Sequence, residues 1–223
     1  MKKVKKVVPF HAAYTVKEEI ANSLIHGLGV LFGVGGLTAL LILACLYGST
    51  GHFVSYLIYG ISLIALYTFS TLYHAIPHLT AKKVFKTCDH AAIYLLIAGS
   101  YTPFLVLNVP RDTGVTFLLI VWSMALIGII FKLFFTGRFK LLSTSIYLGM
   151  GWMLVGAMGP LRASLSSTAI GWIFAGGITY TLGTVFYLWK KLPYNHAIWH
   201  FFVLLASVFH FIAILYASNF VIR

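Results

Sequence analysis

This chain has almost no negative charge. Only four of its 223 residues are Asp or Glu, against 16 Lys and Arg, and charged residues of both signs make up 9% of the whole. Soluble domains carry roughly a quarter charged residues, so a water-soluble globular fold is excluded. Cysteine is scarce too. Cys45 and Cys88 fall near opposite ends of different hydrophobic runs, which argues against a disulfide, and neither stands in a metal-ligand cluster. There is no low-complexity tract and no internal repeat. No small-residue cleavage site follows the first apolar run, which therefore reads as a retained membrane helix and not a signal peptide. No basic stripe exists away from the loop ends. The net charge of +12 thus indicates topology-setting loops beside anionic lipid, with no nucleic-acid partner.

What is present is apolar: 60% of the residues are hydrophobic and 16% aromatic. The runs leave no room for a separate soluble domain. They predict an all-α membrane protein, a bundle of seven transmembrane helices over residues 15–223, preceded by a short basic cytoplasmic arm over residues 1–14. Thr15-Val16-Lys17-Glu18 is a capping-box pattern that starts helix 1, which runs to about residue 47. Gly29 and Gly33 give that helix a small-xxx-small face. The next spans are expected over residues 53–76, 87–107, 114–135, 141–158, 167–189 and 195–217. Each is near the ~20 residues that cross a bilayer. Residues 77–86 read as a basic loop, Pro103 as a kink, and Gly159-Pro160 as the end of helix 5.

The cations divide unevenly over this map. The arm with Lys17, and the 2–3, 4–5 and 6–7 connections, carry thirteen Lys and Arg, and the opposite side carries three. That asymmetry predicts a cytoplasmic N-terminus and an external C-terminus, and it requires an odd helix number.

The same map brings the unusual polar residues to one depth. Glu19, Asn22 and His26 start helix 1; Ser70 and His74 end helix 2; Asp89 and His90 start helix 3; His196 and His200 start helix 7. His196 and His200 are one helical turn apart on one face. Ionisable groups in lipid are costly and mark functional sites by default. Three imidazoles (His74, His196 and His200) with room for a water form the usual catalytic zinc set. Asp89 could hold that water, and Ser70 could donate to a carbonyl oxygen. Glu19, Asn22 and His26 form one stripe that could support the site, or Glu19 could simply favour the helix N-terminus. Taken alone, the His196/His200 pair could equally be two interfacial histidines bonded to backbone or headgroups, and Ser70 a packing hydroxyl. His11, His52 and His78 read as loop or interface residues, and His210 as a buried packing residue.

Glu19-x-x-Asn22-x-x-x-His26, then Ser70-x-x-x-His74 followed by Asp89, then His196-x-x-x-His200, resembles the haemolysin III family. That family lies within the progestin and adipoQ receptor (PAQR) superfamily and is distantly similar to alkaline ceramidases. The resemblance covers residues 15–220. It implies seven helices with a cytosolic N-terminus, Zn2+ on His74, His196 and His200, Asp89 reaching the metal-bound water, and hydrolysis of ceramide-like lipid amides. The family name implies cytolysis, and other members point to membrane homeostasis. Three functions follow as expectations: a zinc-dependent intramembrane hydrolase of a lipid amide or ester; a non-catalytic, zinc-stabilised sensor or regulator of membrane state; and a pore-forming cytolysin. The third fits worst, because the chain has no amphipathic toxin-like segment. Membrane lipids are the expected substrate or ligand, and the bacterial inner (plasma) membrane the expected location.

Overall fold

Helix α1 (Val16–Tyr47) begins where the capping box starts it. The Thr15 hydroxyl accepts the Glu18 N–H at 3.3 Å, and the Glu18 carboxylate accepts the Thr15 N–H at 2.8 Å. In this computed structural model, residues 14–218 and 220 are described. Of the basic arm expected over residues 1–14, only Tyr14 falls among them. The buried face of α1 reads Asn22, His26, Gly29, Gly33, Gly36, Leu40, Ala44. Steps of three and four place these on one stripe, polar at its start and glycine in the middle. The other faces are exposed and apolar, with Leu24, Leu28 and Leu31 among them.

The glycines let α2 (Thr50–Ala75) come close. A Cβ on Gly29 would stand 2.5 Å from the Tyr67 ring. Tyr67 cannot yield, because it is fully buried and its hydroxyl donates to Ser207 Oγ at 2.7 Å. Gly29→Ala is therefore expected to lower unfolding free energy by ~1–3 kcal/mol through overpacking. Gly35→Ala faces open space and should change nothing. Thermal unfolding of both variants in detergent checks the difference.

The remaining elements are α3 (Leu79–Leu107), α4 (Arg111–Phe135), α5 (Lys140–Trp152), a 3-10 segment (Met153–Ala157), α6 (Met158–Ser164), α7 (Ser167–Leu188) and α8 (Asn195–Ala217). Seven helical spans are long and apolar enough to cross a membrane, the fifth being the run from α5 to α6. The protein is a multi-pass integral membrane protein. Helix α1 packs on α2 and α8, α3 on α2 and α4, and α7 on α8; α5 touches α3 and α7 only lightly.

Two boundaries differ from expectation. Residues 79–86 are not a loop but the first turns of α3. His78 caps them, its Nδ1 accepting the Ala81 N–H at 3.3 Å, and Lys82 ties them down by donating to the Tyr73 carbonyl at 2.8 Å. Asp89 consequently lies about three turns into α3 and does not begin it. In the fifth span, Gly159-Pro160 does not end the helix. The break comes earlier, at Trp152, where the buried Tyr101 hydroxyl faces the Met150 and Gly151 carbonyls at 2.6 and 2.7 Å and accepts the Leu154 N–H at 2.9 Å. A side chain that takes over backbone partners allows a 3-10 interruption. Pro160 then sits in the first turn of α6, where no N–H is needed. α3 itself runs on through Pro103.

Candidate metal centre

Helix α8 starts from a strained residue. Tyr194 has φ 55°, a left-handed conformation that aromatic residues rarely adopt. Its N–H donates to Glu18 Oε1 at 3.1 Å, which ties the start of α8 to the first turn of α1. Asn195 adds a second tie, its amide donating to the Phe186 carbonyl at the end of α7 at 2.9 Å. These bonds fix the first turns of α8, and the first turns carry His196 and His200.

The two imidazoles point to one place, with their Nε2 atoms 3.0 Å apart. His74, from the last turn of α2, closes the group, its ring centroid 5.2 Å from that of His196 and 5.0 Å from that of His200. One nitrogen from each ring lies within 4.8 Å of the other two, and all three side chains are buried. A tetrahedral zinc ion with Zn–N bonds of ~2.0–2.1 Å sets its ligand nitrogens about 3.3–3.4 Å apart. Side-chain shifts of up to about 1.5 Å would therefore let these three histidines hold a metal ion.

The supporting contacts suit that use. His74 Nδ1 donates to Glu19 Oε2 at 2.5 Å, with the Asn22 amide 3.3 Å away. His200 Nδ1 donates to the Asn22 carbonyl at 3.2 Å. Each bond puts the proton on Nδ1 and leaves the Nε2 lone pair free. His74 Nε2 and His196 Nδ1 are buried with no hydrogen-bond partner. An orphaned ring nitrogen is costly in a buried site, and a shared cation would remove that cost for His74 Nε2, while His196 would face it with Nε2. Glu19 is itself held by Lys82 Nζ at 2.9 Å.

His26 stacks flat on His200, with centroids 3.6 Å apart and planes 9° apart, and meets the Tyr67 ring edge-on. Both its nitrogens are enclosed and unpartnered, and it stands outside the three-histidine group. Asp89 also stands outside that group. Its carboxylate makes no hydrogen bond among the described residues, and 11% of its side chain stays accessible. Ser70 is wholly buried, and its hydroxyl makes no hydrogen bond and has no accessible surface. His90 Nδ1 donates to the Lys86 carbonyl at 2.7 Å and lies 3.6 Å from Asp89 Oδ2. His52 folds back on Ser49, and His78 caps α3. His11 lies outside the described residues.

A cavity of about 1080 Å³, mouth included, opens from this cluster into the bundle between α3, α5, α7 and α8. His26, Asp89, His196 and His200 wall one end, Ile97 and Val203 lie along it, and His210 stands at the far end. His200 and His210 are ten residues apart on α8, so the cavity runs about 15 Å.

Tyr14 covers the other side of the cluster. Its ring stacks on His196 at 4.8 Å and 19°, and lies 5.9 Å from His74. Burial pushes its phenol up, so it stays protonated near neutral pH. Sequence reasoning assigned Tyr14 to the arm and Lys82 to a topology-setting loop. Neither residue carries a local signal for a place in the site.

Residues 14–211 match the sequence pattern of the family described as Haemolysin-III related. The chain belongs to that family. It is 51% identical over 203 residues to the Hemolysin-3 homolog of Bacillus subtilis, covering 91% of this chain and 95% of that protein. It is 47% identical over 201 residues to Hemolysin-3 of Bacillus cereus, covering 90% and 92%. The human Monocyte to macrophage differentiation factor, of the PAQR superfamily, is 34% identical over 164 residues, covering 70% and 67%. No solved structure matches. The haemolysin-III pattern begins at Tyr14, the residue stacked on His196.

Proposed function

We propose that this haemolysin-III-related protein is a zinc-dependent intramembrane hydrolase of a lipid amide or ester, acting in membrane homeostasis. In this reading the metal end of the bundle faces the cytoplasm and the membrane is the bacterial plasma membrane. The carrying observation is the convergence of three buried imidazoles with the Asp89 carboxylate at the end of a long apolar cavity. The orientation rests on the division of Lys and Arg, twelve to three once Lys132, buried inside α4, is set aside.

His74, His196 and His200 would hold the metal, and an all-imidazole donor set suits zinc. Zinc bound there would supply Lewis acidity and lower the pKa of water toward 7. The chain's own residues do the rest. Glu19 and the Asn22 carbonyl hold His74 and His200 in the tautomer that binds metal. The cavity takes the acyl chain and keeps bulk water out. Asp89 accepts the proton of the attacking water and returns it to the departing amine or alkoxide. Ser70 would act through Asp89: its enclosed hydroxyl has no other partner and would orient that carboxylate.

A second reading has an observation of its own. Helices α1, α2 and α8 meet at the cluster through Glu19, His74 and His200, so a metal there would also staple three spans. Ser70→Ala separates the two readings. A hydrolase should lose about tenfold in fatty-acid release from ceramide-like amides or lysolipid esters, the worth of a hydroxyl that engages the Asp89 charge during turnover, with its metal retained. Stoichiometric zinc with no release by wild type from any such lipid would leave only the staple.

A further inference from the structure

Two lysines converge where α5 begins and α7 ends, and no carboxylate meets them. Lys140 Nζ donates to the Tyr187 carbonyl at 2.9 Å and stands 3.8 Å from the centroid of the Tyr187 ring. Lys190 Nζ, from the connection to α8, stands 5.3 Å from the same centroid. Both ammonium groups thus lie against one aromatic ring. Like charges so close repel, and the ring face offsets only part of that.

All four acidic residues of the chain are accounted for elsewhere. Glu18 is taken by Thr15 and Tyr194, and Glu19 by His74 and Lys82. Asp89 faces the cavity, and Asp112 is in the first turn of α4, at the opposite end of the bundle. Among the described residues, therefore, no anion of the chain serves this corner. Helix α5 adds to the field, since Phe139 at its N-cap offers no side-chain acceptor and its first amides remain uncapped. Lys190 is exposed and Lys140 half-buried at the end of their spans, the level at which lipid phosphates lie.

We propose that Lys140, Lys190 and the start of α5 bind a phosphate ester, with the anion bridging both ammonium groups. Phosphate fits better than a carboxylate, because it offers separate oxygens to two point-charge donors. The source is either the headgroup of an anionic phospholipid or free phosphate. The site stands whether or not the histidines hold a metal. It is one ring removed from them, since Tyr187 lies 6.0 Å from His196 and also lines the cavity.

The test uses the full chain in a maltoside detergent, which carries no phosphate. Thermal unfolding is followed while phosphatidylglycerol, diacylglycerol or inorganic phosphate is added. Phosphatidylglycerol should stabilise wild type and diacylglycerol should not. Lys190→Gln, at an exposed position, should weaken the apparent affinity by about tenfold, the loss of one charge-assisted pair, and the K140Q/K190Q variant should lose the response. Equal stabilisation by inorganic phosphate, lost in the same variants, would assign the site to free phosphate. An identical lipid response in wild type and K140Q/K190Q, or no response of wild type to either phosphate source, would overturn the proposal.

Discussion

His196→Ala should strip the metal from the purified protein. Zinc bound by four protein ligands in a folded site is worth about 10–16 kcal/mol, so one ligand carries roughly 3 kcal/mol and its loss weakens binding at least about a hundredfold. The site offers no replacement. His26 is the nearest spare imidazole, but its ring lies flat against His200 and its nitrogens are not in the group that shares one point. Asp89 is outside that group as well. Metal content after dialysis, measured by elemental analysis, reads the outcome directly. His90→Ala is the control, since His90 Nδ1 is already committed to the Lys86 carbonyl and the residue should be dispensable for metal. Full retention of metal by His196→Ala would sink the ligand assignment.

The bundle was legible in the sequence because lipid simplifies the code. A helix surrounded by hydrocarbon must satisfy its backbone internally and be apolar all round, so span and number follow from length and composition. The ends of α1 and α8 and the glycine face of α1 came through unchanged. What failed was punctuation. Pro77 signalled a loop, yet only residues 76–78 interrupt the chain before α3, because a histidine cap and a lysine reaching a carbonyl restart the helix at once. Gly159-Pro160 signalled an end, yet the break is set by Tyr101, some fifty residues earlier in the chain. A tertiary hydroxyl of that kind leaves no local trace.

The candidate site shows the same division. The three histidines could be grouped because topology puts the ends of alternate helices at one level and i, i+4 spacing puts two of them on one face. The pairing of Glu19 with His74 crosses from α1 to α2, and neither its partners nor the share taken by Lys82 follow from spacing. Tyr14 and Tyr187 reach the histidines through ring contacts, and aromatic residues at span ends are ordinary enough to pass as interfacial anchors. Lys132 was counted among the cations that set topology. It is 2% exposed, inside α4, with its ammonium on Ser143 Oγ at 2.5 Å. Its charge serves the interior, and the count on that side is weaker by one.

Asp89→Asn should abolish most turnover while leaving fold and metal intact. The substitution keeps shape and removes only the charge. If Asp89 carries the proton of the attacking water, the loss is about 10²–10⁴ in kcat, or roughly 3–5 kcal/mol of barrier. No other group can stand in. Glu19 is locked between His74 and Lys82, Glu18 between Thr15 and Tyr194, and Asp112 belongs to the far end of the bundle. His26 shares the cavity wall, but its nitrogens have no accessible surface, whereas the Asp89 side chain keeps 11% of its own. The measurement is single-turnover release of fatty acid, with metal counted in the same sample. A fall with zinc retained identifies a proton carrier, because a residue serving only to staple helices would leave the rate untouched or release the metal with it. Unchanged turnover in Asp89→Asn would remove the carboxylate from the chemistry and leave the metal and the cavity to account for any hydrolysis alone.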